Sequence, residues 1–184
     1  MSFPVGSYGY LHFNCSLLGY TSLPIIGKLV DLMEYIIKRN TKITEKHKEL
    51  LWEADPSEEM VSDYINRGIM FELVIDREIK GVMVLLERSP QTVEIMNISV
   101  DESWQGRGMG KKLLKHGLAY AREQGYLKVT IATGNSSIGQ LALYQKCGFR
   151  IVNIERDYFT MHYKTEIIEN GICCLDRVNL EFVL

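Results

Sequence analysis

Hydrophobic and polar positions change period several times along the chain, and the changes mark out its elements. Residues 33–39 read as a first strand, with Met33 at its head. His47, Leu50, Leu51 and Ala54 then recur at helical spacing. A second helix is expected to open at Asp55-Pro56-Ser57-Glu58, with Asp55 as N-cap, Pro56 at the first helical position and Glu58 at the third. Its stripe is Met60, Val61, Tyr64 and Ile65, and Gly68 is placed to cap its end. Residues 70–75 and 80–87 read as a hairpin around Asp76-Arg77-Glu78, a turn without the glycine that tight primed turns prefer. After a break at Ser89-Pro90-Gln91, residues 93–100 alternate as a strand, which puts Glu94, Met96, Ile98 and Val100 on one face.

Residues 108–124 form the most strongly patterned helix. Gly110, Leu113, Leu114, Gly117, Leu118 and Ala121 make its apolar stripe, and Lys111, Lys112, Lys115 and Arg122 lie off it. Gly125 ends it, residues 129–132 are a strand, and residues 138–146 are a helix closed by Gly148. Residues 149–154 and 178–183 are closing strands. Strand, helices, hairpin, strand, helix, strand, helix, strand, strand is the order of an α/β (α+β) domain, with a mixed sheet and helices on its faces.

The first 27 residues carry no Asp, Glu, Lys or Arg. Gly6, Gly9, Asn14, Gly19, Pro24 and Gly27 break any apolar run there, which argues against a signal peptide and a membrane span. Residues 1–32 are therefore expected to be an extension outside the core, and residues 33–184 one domain, with Met33 a natural start. At 184 residues the chain is long enough for one real core. A net charge of −2 gives no global basic field, so nucleic acid is not expected as a partner and an anion must be held locally. Cys15, Cys147, Cys173 and Cys174 have neither zinc nor Cys-x-x-Cys spacing, which points to reduced thiols in a cytoplasmic protein and to no metal.

Local anion binding is offered by Gln105-Gly106-Arg107-Gly108-Met109-Gly110-Lys111, between a strand and a helix. Glycines let the backbone fold closely, the first N–H groups of the helix point outward, and Arg107 and Lys111 add charge where the helix dipole is positive. A Walker A loop fails here, because Gly110-Lys111 is followed by Lys112. A dinucleotide fingerprint fails because position 111 is Lys where Gly is needed.

Gln105-x-x-Gly108-x-Gly110 instead resembles the Gln/Arg-x-x-Gly-x-Gly/Ala signature of the GNAT acetyltransferases, at the same strand-to-helix junction. A second stretch is also similar to that family: Asn135, then Ala142-Leu143-Tyr144-Gln145-Lys146-Cys147-Gly148-Phe149. The resemblance covers residues 34–152 in element order. It implies the GNAT fold and an N-acetyltransferase that moves acetyl from acetyl-CoA to a primary amine in a ternary complex, without a covalent acyl-enzyme. It also implies a strand 93–100 that splays from its neighbour, with the backbone of Ile98, Ser99 and Val100 along the pantetheine arm. Gln105, Gly106, Arg107, Gly108, Met109, Gly110 and Lys111 would wrap the pyrophosphate, and Asn135 would bond the arm.

By the same resemblance Tyr144 protonates the departing thiolate; the other reading is a helix aromatic with its hydroxyl satisfied elsewhere. Glu94 is either a general base acting through water or a solvated or ion-paired strand carboxylate. Cys147, one turn from Tyr144, reads as a buried small hydrophobe rather than an acyl carrier. His116 is expected to be solvated. Asp157, Tyr158, Phe159, His162 and Tyr163 suit the lip of a site for a cationic amine, or equally the core and rim. The acceptor can be a small molecule or a peptide, and residues 178–183 could pair across a homodimer. A catalytically inactive acyl-CoA-binding sensor or interaction module is the competing function; Tyr144 favours the enzyme.

Overall fold

The computed structural model describes residues 34–55 and 57–184, so the expected extension 1–32, Met33 and Pro56 lie outside the described residues. Among the described residues, β1 (Tyr35–Asn40) is followed by α1 (Glu45–Ala54) and α2 (Glu58–Arg67). Next come β2 (Ile69–Ile75), β3 (Glu78–Ser89) and β4 (Thr92–Val100). A 3-10 turn at Glu102–Trp104 leads into α3 (Met109–Glu123), β5 (Lys128–Gly134) and α4 (Ile138–Lys146). The chain closes with β6 (Arg150–Glu155), α5 (Tyr158–His162), the short strands β7 (Ile168–Glu169) and β8 (Ile172–Cys173), and β9 (Arg177–Val183).

Seven strands form one sheet in the order β1-β2-β3-β4-β5-β9-β6, with β4 and β5 its parallel pair. Strand β3 shows why both faces are covered. Val82, Val84 and Leu86 pack with Leu50, Leu51, Val61 and Tyr64 of α1 and α2. Met83 and Leu85 point the other way, into a cluster with Leu113, Leu114 and Leu118 of α3. Hence β3 is a nearly continuous apolar run, as expected for a strand buried on both faces. Each leucine of the α3 stripe contributes roughly 1.5–3 kcal/mol by leaving water.

Local details depart from the simplest sequence pattern. Helix α2 is capped by Ser57, whose side chain accepts the Met60 N–H, and not by Asp55. Asp55 instead closes α1 and accepts the Ser57 N–H at 3.0 Å. Ser137 is the N-cap of α4, without a side-chain cap bond. The β2–β3 turn consists of Asp76 and Arg77, with φ of 51° and 66°. This is primed-turn geometry reached without glycine. His116 is half-buried with its ring edge-on to Phe71, rather than solvated, and desolvation lowers its pKa.

Two features of the sheet shape everything that follows. In β4 the ladder to β3 pairs Asn97 with Val84 and then Ile95 with Leu85, leaving Met96 as an extra residue. A bulge reverses the alternation. Glu94, Asn97 and Ser99 therefore face the α1–α2 side with their partners Leu86, Val84 and Val82, while Ile95, Ile98 and Val100 face α3. The expected common face of Glu94, Met96, Ile98 and Val100 does not exist. Secondly, the β4–β5 ladder runs from Thr92↔Lys128 to Ile95↔Ile131 and stops. Strand β4 continues along β3 to Val100, and β5 continues along β9 to Gly134.

Strand β9 lies between β5 and β6, so both its edges are used and it cannot pair across a dimer as expected. Among the described residues the free edge on that side is β6, with Ile151, Val152 and Ile154 exposed.

Candidate active site

Where β4 and β5 stop pairing, a cleft of about 540 Å³ opens, bordered by Ile95 to Ile98 on one strand and Ile131 to Gly134 on the other. The end of α1 closes it on one side; α5, Tyr163 and β7 close it on the other. Position of the α1 wall is set by a buried polar contact. The Thr44 N–H donates to Nδ1 of His47 at 3.1 Å, and Nε2 meets Oε2 of Glu72 on β2 at 2.9 Å.

Beyond Val100 the chain turns through the glycine-rich loop. Nε2 of Gln105 donates to the Val100 carbonyl at 2.9 Å, and the Arg107 guanidinium lies 4.8 Å from the centre of the Trp104 ring. Gly106 and Gly108 have φ of 70° and 80°, and a Cβ on either would meet nothing. Backbone conformation, not crowding, is what glycine supplies here. Gly108 is the N-cap of α3, and its carbonyl accepts the Lys112 N–H at 3.1 Å. The amides of Met109, Gly110 and Lys111 precede the first such bond and lack helical partners. The first turn of α3 holds no acidic residue, and Arg107 and Lys111 are exposed. Such an arrangement can receive an anion.

Of the expected site residues, Glu94, Ile98 and Tyr144 border the cleft. Ser99 and Val100 are buried and do not, and the loop from Gln105 to Lys111 lies outside the cleft lining. Asn135 is committed elsewhere: its Oδ1 accepts the Leu175 and Asp176 N–H groups at 2.8 and 2.9 Å, and its Nδ2 donates to the Cys173 carbonyl at 3.0 Å. The side chain thus ties the β8–β9 connection to the end of β5. Gln105 similarly holds the loop to its own strand.

Tyr144 is 4 % exposed on α4, and its hydroxyl has no hydrogen-bond partner among the described residues. Burial, helped by the charge of Glu169, pushes its pKa far above the ordinary phenol value. Glu94 has both oxygens taken, by Arg88 Nε at 2.6 Å and Arg177 Nη2 at 2.8 Å. That is the ion-paired alternative. Cys147 packs half-buried against the core, and burial raises its pKa, which disfavours a nucleophilic thiolate. Cys173 and Cys174 are also free. Tyr158, Phe159 and Tyr163 border the cleft, whereas His162 stacks on Tyr158 and does not. Among the described residues no group of three or more His, Cys, Asp or Glu side chains could hold a metal ion.

The cleft residues that were not expected from the sequence include Asp55, Arg88, Asn97 and Arg177. Asp55 reads locally as a helix cap. The arginines meet Glu94 only through the folded sheet, and Asn97 reaches the Leu51 carbonyl only because of the bulge.

The arrangement has counterparts. The model of the acetyltransferase (GNAT) family matches residues 34–149. The N-acetyltransferase YvbK of Bacillus subtilis (strain 168) is 44% identical over 151 residues, which is 82% of this chain and 97% of that protein. A GNAT family acetyltransferase from Elizabethkingia anophelis, solved with acetyl-CoA bound, superposes with a TM-score of 0.79 at 41% identity, over 82% of this chain and 98% of that one. IAA acetyltransferase from Bacillus cereus ATCC 14579 gives a TM-score of 0.77 at 49% identity, over 82% and 100%. With the parted strands, the glycine-rich loop and the buried tyrosine in place, these matches make the chain a member of the GNAT family of acetyltransferases.

Proposed function

We propose that the chain transfers acetyl from acetyl-CoA to a primary amine, directly and within a ternary complex. The observation that carries this reading is the parting of β4 and β5 beyond Ile95↔Ile131, which leaves main chain near Ile98 to Val100 free on that side and leads to the helix mouth at Gly108. The residues present fit the donor. Open space surrounds Gly106 and Gly108, the first turn of α3 bears no carboxylate, and Arg107 and Lys111 reach solvent. Amides of residues 106–111 would hold the diphosphate, and the backbone of Ile98, Ser99 and Val100 the pantetheine arm. Acetyl-CoA supplies the activated acyl carbonyl.

Chemistry by the protein's own groups is then modest. Tyr144 keeps its proton at neutral pH and has no hydrogen-bond partner among the described residues, so it can protonate the leaving thiolate as the C–S bond breaks; the proton that the nitrogen releases on forming the amide restores the phenol through solvent. Cys147 offers no ready thiolate, which suits direct transfer over an acyl-cysteine. Glu94 serves as the anion that fixes Arg88 and Arg177 across the cleft; acting as base would require breaking two ion pairs. Gln105 and Asn135 act by holding the walls. Free thiols accord with a cytoplasmic setting. If a homodimer forms through the sheet, its edge is β6.

Thiol release from acetyl-CoA, measured with grouped primary amines, tests the reading. Amine-dependent release is expected. A protein that binds coenzyme A yet releases thiol with no amine would instead be the acyl-CoA sensor.

A further inference from the structure

We propose that Asp55 is the carboxylate that receives the acceptor in its ammonium form, the nitrogen giving up one proton to solvent before it attacks the acyl carbonyl, which makes the substrate a cationic amine rather than a neutral alcohol. The proposal rests on the acetyl-transfer reading above.

The end of the cleft at α1 has acceptors to spare. Asp55 Oδ1 accepts the Ser57 N–H at 3.0 Å and the Tyr163 hydroxyl at 3.1 Å, while Oδ2 has no partner among the described residues. Asn97, 4 % exposed, spends its Nδ2 on the Leu51 carbonyl at 3.0 Å and the Tyr64 hydroxyl at 2.9 Å, and its buried Oδ1 accepts nothing. Both residues meet at one atom, since the Asp55 N–H also donates to the Leu51 carbonyl at 3.0 Å. Unmet acceptors of this kind ask for a group that only donates. An ammonium carries three N–H donors and no acceptor.

Charge points the same way. Arg88 and Arg177 are both bound to Glu94, and among the described residues no Lys, Arg or His pairs with Asp55. Asp55 stands at the C-terminus of α1, whose last turn has no basic residue, so the negative end of the helix dipole is uncompensated there. Phe159 and Tyr163 bring aromatic rings to the same cleft, whereas the Tyr158 ring is already covered by Arg177 and His162. Burial without a cation raises the Asp55 pKa, and an arriving ammonium would offset that.

The test uses the full chain and the primary amine that it acetylates fastest. Asp55→Asn keeps the acceptor for Ser57 and Tyr163 but removes the charge. We expect KM for the amine to rise about ten- to a hundredfold, as for loss of a hydrogen bond to a charged group, with KM for acetyl-CoA little changed. Stability separates this role from a structural one. Because the folded pKa lies above the ordinary value of 3.8, wild-type stability falls as pH rises through that window. Asp55→Asn removes this loss and is expected to melt no lower than wild type at neutral pH. An unchanged KM for the amine overturns the assignment while leaving acetyl transfer intact. A lowered melting temperature with both KM values raised together overturns it too. A wild-type protein that acetylates no amine overturns both. On the unaltered protein, the alcohol matching the best amine should inhibit about tenfold more weakly than the amine binds; equal binding overturns the proposal.

Discussion

At Tyr144 the surroundings, rather than a partner, keep the proton on the hydroxyl. Desolvation and the charge of Glu169 both penalise the phenolate, so the group is an acid across the physiological range. Tyr144→Phe should lower kcat by about a hundredfold or more while acetyl-CoA affinity stays near wild type, read from steady-state thiol release and calorimetry. Unchanged kcat would remove the residue from the chemistry. Its place was legible in the sequence because a local motif, Tyr144 to Phe149, carries it. Glu94 was not so readable. Its meaning depends on Arg177, which lies across the sheet and outside any motif, and only the fold brings the two within 2.8 Å. Asp55 shows the reverse ambiguity, for an aspartate before Pro-Ser-Glu is an ordinary capping signal, and the neighbouring serine takes that role here.

Among the elements, α1 to α4 lie close to where they were expected, α5 was not foreseen, and the strands held the other surprises. Period-two alternation assumes one residue per rung, and the extra residue at Met96 breaks it, turning Glu94 away from the face of Ile98. No residue type in that stretch announces a bulge. The β7–β8 hairpin was readable in principle, since Asn170-Gly171 occupies its turn with φ of 55° and 72°. Its strands are too short for their pattern to stand out. The β2–β3 turn offers a quantitative check. Arg77 holds φ of 66° without being glycine, a conformation that costs roughly 1–2 kcal/mol for a residue with a Cβ. Arg77→Gly should therefore raise the melting temperature by about 2–4 °C in a thermal scan at unchanged activity. A lower melting temperature would contradict the turn assignment.

For the whole molecule, element order was enough to give a mixed sheet with helices on both faces, because each amphipathic stripe must find a partner. Strand order was not given by it. Whether the last strand ends at an edge or inserts between β5 and β6 is decided by long-range packing of Val178 and Leu180, which no local pattern encodes. The geometry of the proposed anion site was legible because its cause is local: glycines at positive φ leading into a helix with no acidic first turn. The cleft beside it was visible only by resemblance, since an interrupted β4–β5 ladder has no signature in either strand alone. In the reading proposed above, main-chain amides at the mouth of α3 hold the diphosphate of a coenzyme A thioester. Calorimetric titration of the folded protein with coenzyme A, and in parallel with pantetheine, which lacks the diphosphate, tests it most directly. Coenzyme A should bind and pantetheine should bind at least about tenfold more weakly, a difference of roughly 1.4 kcal/mol or more. Equal affinity for the two, or no binding of coenzyme A, would contradict the account.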